Sequence, residues 1–207
     1  MNGFSRHAAK TAGAALALLL LVAGCGTSPT TAYFSLEPVV PAAAPQPDYR
    51  GPAVQVLAVH LPPALDRLEL MRETRPGQLD VNEFARWAAP LARMARQTLT
   101  EDLVNRLPAG AVVFPDAHKP DGAALVSVDI LSFRTSGAAV QADVSWGLRG
   151  GLPSDPAWRT KVLRLAAPAG DGGGAATAQA LSHVIGQLAD RIAADLAAAT
   201  GPAAAHP

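Results

Sequence analysis

Thiols, aromatic rings and excess charge are all scarce here, and each scarcity closes off a class of function. One cysteine in 207 residues rules out an intrachain disulfide and a thiolate metal cage. Aromatic residues make up 5% of the chain, so Leu, Val and Ile must carry the packing. Lys and Arg number 17 against 17 Asp and Glu, with no basic run, which leaves nucleic acid without an electrostatic footprint. No G-x-S-x-G elbow, Walker loop or H-E-x-x-H occurs, so hydrolase, nucleotide and zinc-protease chemistries lack their usual motifs. Past the first 24 residues no apolar run is long enough to span a bilayer.

What is present begins with the position of that one cysteine. Residues 1–24 read as an export signal: a basic start with Arg6 and Lys10, an apolar stretch from Ala14 to Val22, then small Ala23 and Gly24. Val22-Ala23-Gly24-Cys25 resembles the lipobox of bacterial lipoproteins. That resemblance implies a diacylglycerol on the Cys25 sulfur, cleavage before it and an N-acyl chain on the new amino group. One fatty chain binds a membrane reversibly and two signals hold it, so two or three chains make a durable anchor. No other cofactor is expected. Loss of Arg6 and Lys10 leaves 15 basic against 17 acidic residues.

Residues 25–31 are the lipidated start and a spacer, 32–200 one domain, and 201–207 a disordered tail. Within the domain, "AYFSL" (32–36) reads as a strand, and the proline-rich 37–52 as a semi-rigid connector. "AVQVLAVHL" (53–61) reads as a buried strand, and "RLELMRE" (67–73) with Gly77 and "QLDV" as an edge hairpin. From Asn82, apolar residues return every three or four positions: Phe84, Trp87, Leu91, Met94, Leu99, Leu103 and Leu107. This predicts a short helical turn, then a main helix starting at Pro90. Asp102 and Arg106, four apart, would add a few tenths of a kcal/mol.

Further on, "AVVF" (111–114) suggests a short strand, and "ALVSVDILSFRT" with "AAVQADVSWGLR" a hairpin. In the second of these, Val140, Ala142, Val144, Trp146 and Leu148 form one face; Gln141, Asp143, Ser145 and Arg149 lie on or near the other. "AWRTKVLRL" (157–165) adds a strand, and a last helix carries the stripe Leu181, Val184, Ile185, Leu188, Ile192 and Leu196. The fold class is therefore α/β: a mixed, mostly antiparallel sheet with two long helices packed on it.

Chemistry-bearing clusters are few. His60, His118 and His183 are far apart in sequence, without metal-ligand spacing. "GDGGGA" (170–175) satisfies G-x-G-x-x-A before a helix, but no further strand and acidic residue follow, so it reads as a linker and helix start. Asp66-Arg67 after Pro62-Pro63, and Arg86-Trp87, are candidate partner contacts, since Trp and Arg are enriched among interface anchors. Core packing is the competing role for Trp87, and turn fixing for Asp66 and Arg67.

"YFSL" near Cys25, then "VQVLAVHLPPALDRLELMRE", then "FARWAAPLARMARQTLTEDL" together resemble the ABC-type transport auxiliary lipoproteins of the PqiC-like kind. The likeness covers most of Cys25 to Leu165 and is strongest from Pro63 to Leu91. It departs at Leu68-Glu69-Leu70, where relatives often carry a proline and an uncharged polar residue. The resemblance implies a three-layer-like α/β domain tethered in the periplasm, without catalysis of its own. It would serve an MCE-domain periplasmic protein of a Pqi-like or ABC-type lipid transporter. Gly26 after the cysteine fits sorting to the outer membrane, with the inner membrane as the alternative. Partners expected are the MCE protein, the membrane through the anchor and further copies of the chain. The rival functions are a lipid-carrying binding module and a lipid-anchored periplasmic enzyme.

Overall fold

A computed structural model describes residues 29–41, 49–75, 77–136, 138–150 and 159–200. Period-two segments pair into two sheets. β1 (Ala32–Phe34), β4 (Gln78–Trp87) and β3 (Glu69–Arg75) make a three-stranded sheet in the order β1-β4-β3. β5 (Val112–Val113), β2 (Val54–His60), β6 (Ala124–Ser136), β7 (Ala139–Arg149) and β8 (Arg159–Pro168) make a five-stranded sheet in that order. The expected single sheet is thus divided in two, and both parts are mixed. β1 runs parallel to β4, and β2 parallel to β5 and β6, whereas the long β3–β4, β6–β7 and β7–β8 ladders are antiparallel. The described strands and helices from Thr31 onward form one domain.

Two helices, α1 (Leu91–Val104) and α2 (Gly174–Thr200), pack against each other; α1 touches β2, and α2 touches β7 and β8. Val56, Val126, Val128, Val140, Val144 and Trp146 lie buried on the sheet face they cover. α2 buries the whole predicted stripe from Leu181 to Leu196, and α1 buries Leu91, Ala95, Leu99 and Leu103. Full burial of each Leu or Ile stabilises by roughly 1.5–3 kcal/mol. α1 starts at Pro90 as expected, with the Arg93 and Met94 amides donating to the Pro90 carbonyl.

The opposite face of the five-stranded sheet is mostly polar, as the alternation predicts, with Val162 exposed on it beside Ser145. Asp143 accepts from Arg164 at 2.8 Å and from Ser132 at 3.0 Å, with Arg134 at 3.6 Å. The hydrogen bond from Arg164, then that from Ser132, hold the Asp143 carboxyl below its usual range.

The segment before Pro90 departs from expectation. Residues 82–87 finish strand β4 instead of making a helical turn, because β3 and β1 pair on either side of it. The spacing of Phe84, Trp87 and Leu91 imitates a helical period, but only Trp87 and Leu91 are buried. Between Asn82 and Arg86 the β3–β4 register slips by a wide bulge, and the Phe84 amide turns back to donate to the Asn82 side chain at 3.0 Å. The bulge leaves Phe84 45% exposed. Gly77, at φ 75°, makes the hairpin turn that leads into β4.

Candidate functional site

The described part of the proline-rich connector is a strap fastened to α2 rather than a loose linker. Gly174, Ala178, Ser182 and Gly186 recur every four residues and so share one face of α2. Residues 34–39 lie along that face. A Cβ at Gly174 would come within 2.5 Å of the Phe34 ring, and one at Gly186 within 3.0 Å of Val39 Cβ. Between these two notches the Glu37 amide donates to Ser182 Oγ at 3.1 Å, and that hydroxyl donates to the Ala178 carbonyl at 3.0 Å. Small side chains at each crossing let the strap approach the helix backbone. At the far end of the connector, Tyr49 is buried and its hydroxyl donates to the Pro52 carbonyl at 2.6 Å. Burial pushes that phenol up to about 12.

Val39 is also held by charge. Its amide donates to Asp102 Oδ1 at 2.8 Å, and its carbonyl accepts from Arg106 Nη1 at 3.3 Å. Arg106 reaches Asp102 Oδ1 at 3.0 Å and, through Nε, Asp190 Oδ1 at 2.6 Å. Asp190 continues the four-residue row of α2, so both helices and the strap meet at one guanidinium. Asp102 and Arg106 are almost fully enclosed. The i,i+4 pair expected to add only a few tenths of a kcal/mol is therefore an interior one. Burial raises the Asp102 carboxyl to about 6, against the lowering effects of the Val39 amide and Arg106. Its Oδ2 has no hydrogen-bond partner among the described residues.

Beside the strap lies a groove of about 750 Å³, open along one side. Tyr33, Pro38, Val39 and Val40 form one wall, Ala175, Gln179 and His183 the other, with Ala178 and Ser182 between them. Tyr33 is 65% and Val40 85% exposed.

A second surface gathers most of the residues singled out in the sequence. The Leu65 and Asp66 amides both donate to the Pro62 carbonyl, which closes the turn carrying Asp66 and Arg67. The Trp87 amide donates to the Leu68 carbonyl at 2.7 Å, so this turn and the end of β4 share one end of the small sheet. There Glu69 accepts from Arg86 at 2.8 Å and lies 3.6 Å from Arg67. Its own backbone amide first, then Arg86 and Arg67, keep the Glu69 carboxyl below its usual range. Leu68 and Phe84 are exposed at this end. Trp87 is not: its ring is 3% exposed and packs in the core, out of a partner's reach. Sequence reasoning missed Leu68 and Phe84 as surface groups; the Asn82 turn was the available signal for Phe84.

Cys25 and the lipobox residues Val22, Ala23 and Gly24 lie outside the described residues, as does the tail 201–207. His60 ends β2 and His183 sits on the groove rim, both exposed, and the described residues hold no metal-binding group of three or more His, Cys, Asp or Glu. Around "GDGGGA" the Gly173 amide donates to Asp171 Oδ1, and no strand follows α2 among the described residues. No described helix is long and apolar enough to cross a membrane.

A family model described as "ABC-type transport auxiliary lipoprotein component" matches residues 34–193. No curated protein matches the chain. A crystal structure of an uncharacterized protein is similar at TM-score 0.60 and 19% identity, covering 82% of this chain and 98% of that one. A Xanthomonas campestris protein described by the family model DUF330 is similar at TM-score 0.59 and 17% identity, covering 78% and 92%. At these identities the two structures speak for the fold alone.

Proposed function

This chain belongs to the ABC-type transport auxiliary lipoprotein component family, and from that premise we propose that it is the docking subunit of an MCE-type intermembrane lipid transporter. The family is one of auxiliary transport components. The finer reading is that acyl chains on Cys25 hold the body on the periplasmic leaflet of the outer membrane, where it receives an MCE protein. The body acts mechanically, as a rigid landing piece. Tethering raises the local concentration of the two partners, so modest contact affinity suffices.

The observation that carries this reading is the end of the small sheet. Two arginines flank Glu69 beside exposed Leu68 and Phe84, a mix of guanidinium and apolar groups typical of interface anchors. Arg67 is 56% exposed and its pairing with Glu69 is a solvent-screened surface contact that adds little to the fold. Arg67→Glu should therefore reduce recovery of the MCE partner in a pull-down while the melting temperature stays put. Equal loss of both assigns Arg67 to the fold and removes the docking site from this end. Cys25→Ser tests the anchor: the variant should leave the membrane fraction, and retention at unchanged mass defeats the reading.

A further inference from the structure

We propose that the groove between the strap and α2 holds one acyl chain of a membrane phospholipid, with its ester or phosphate oxygens at the Gln179–His183 rim. Most polar groups lining its inner side are already committed, and at its edge the exposed Glu37 carboxylate accepts from Ser35 Oγ at 3.0 Å. Ser182 Oγ both donates and accepts, the Glu37 amide is bonded to it, and the Val39 amide and carbonyl are bonded to Asp102 and Arg106. An extended peptide laid here would bury backbone amides and carbonyls facing no partner, each costing about 1–3 kcal/mol. A hydrocarbon chain requires no partner. The volume of about 750 Å³ falls in the range of roughly 300–1,000 Å³ typical of small-molecule sites. The open side lets a longer chain run out.

Tyr33 and Val40 stand on the strap wall with most of their apolar surface in water, and a chain lying between them and Ala175 would cover it. Gln179 and His183, one turn apart on α2, present N–H donors at the opposite rim. Covalent reach indicates the source. Eight residues lead from Cys25 to Tyr33, at most about 28 Å at ~3.5 Å each, so an anchored Cys25 keeps the groove close to a bilayer. This step rests on the lipid anchor proposed above.

The test uses the full-length protein in its own cells, with benzoylphenylalanine replacing Val40, irradiation, and intact-mass measurement of the purified chain. An adduct of diacyl phospholipid mass is expected. It should fall to background in Ala175→Leu, which fills the groove from its exposed side without altering the melting temperature. It should also be absent when the probe replaces Gln141 on the polar face of the five-stranded sheet. A protein-sized adduct, a free fatty acid adduct, no adduct, equal lipid adducts at Val40 and Gln141, or an adduct undiminished by Ala175→Leu each overturn the proposal. Arg67→Glu leaves the adduct unchanged, so failure of the docking reading and failure of the acyl site are read separately.

Discussion

Replacing Arg106 with leucine should cost more stability than any surface ion pair could, and the cost should depend on pH. In the native fold Arg106 neutralises Asp102, which is fully enclosed, and also binds Asp190 and the Val39 carbonyl. Without the guanidinium, Asp102 keeps only the Val39 amide at 2.8 Å. Breaking a buried pair by removing one partner typically costs about 3–5 kcal/mol, because the remaining charge is stranded in a poorly polarisable interior.

The sign of the pH dependence follows from the raised Asp102 pKa. Its folded value of about 6 exceeds the ordinary 3.8, so between those values the folded state holds a proton that the unfolded chain has released. This carboxyl's contribution to stability is greatest below about pH 4, declines by roughly 3 kcal/mol as pH rises to about 6, and is flat above. Removing the cation pushes the folded pKa higher still and extends the decline upward. Wild type and Arg106→Leu should therefore differ by about 3–5 kcal/mol at pH 7.5, and the gap should shrink by up to about 2 kcal/mol at pH 5, where Asp102 is largely neutral in both. Urea unfolding followed by fluorescence of buried Trp87 and Trp146 measures the gap. A difference under about 1 kcal/mol at pH 7.5, within the range of an exposed pair, or a gap that does not shrink by pH 5, would refute the argument.

Gly186→Ala should add about 1 kcal/mol of helix propensity, yet leave the protein no more stable, since its Cβ must push Val39 away; hydrogen exchange at the Val39 amide should accelerate. Trp87→Ala should destabilise by about 3–5 kcal/mol, seen as a lower denaturation midpoint, because the ring is core. Phe84→Ser, at an exposed bulge, should stay within about 0.5 kcal/mol of wild type and weaken partner recovery as Arg67→Glu does. Asp143→Asn should leave the melting temperature nearly unchanged at neutral pH, since its arginine partners are mostly exposed.

Where the sequence repeats at one clear period, the fold is legible in it. β7 alternates at period two, and α2 keeps an unbroken apolar stripe. β4 was obscured because Phe84, Trp87 and Leu91 fall three or four apart by chance of a bulge, while the pairing that makes the segment a strand comes from β1 and β3, distant in sequence. The connector misled in another way. Proline density describes the chain's own stiffness but not what it rests on, and the row Gly174, Ala178, Ser182, Gly186 gains meaning only once Val39 lies in it. Asp102 and Arg106 have the spacing of an ordinary solvent pair, and only Asp190, on another helix, makes them interior. Of the contact candidates, Arg67 and Arg86 meet through Glu69, whereas Trp87 shares the inward face of β4 with buried Ala85, two residues before it, and turns into the core by the pleat.

A protein pulled through its amino-terminal end feels tension first in the short ladder between β1 and β4, and only afterwards at the clasp around Val39. The outer strand can peel while both helices and the large sheet stay intact. From Thr31 to Phe34 the released chain would add at most about 10 Å to the leash at ~3.5 Å per residue, giving the tethered body a little slack to follow a moving partner before buried Leu36 and the clasp at Val39 resist.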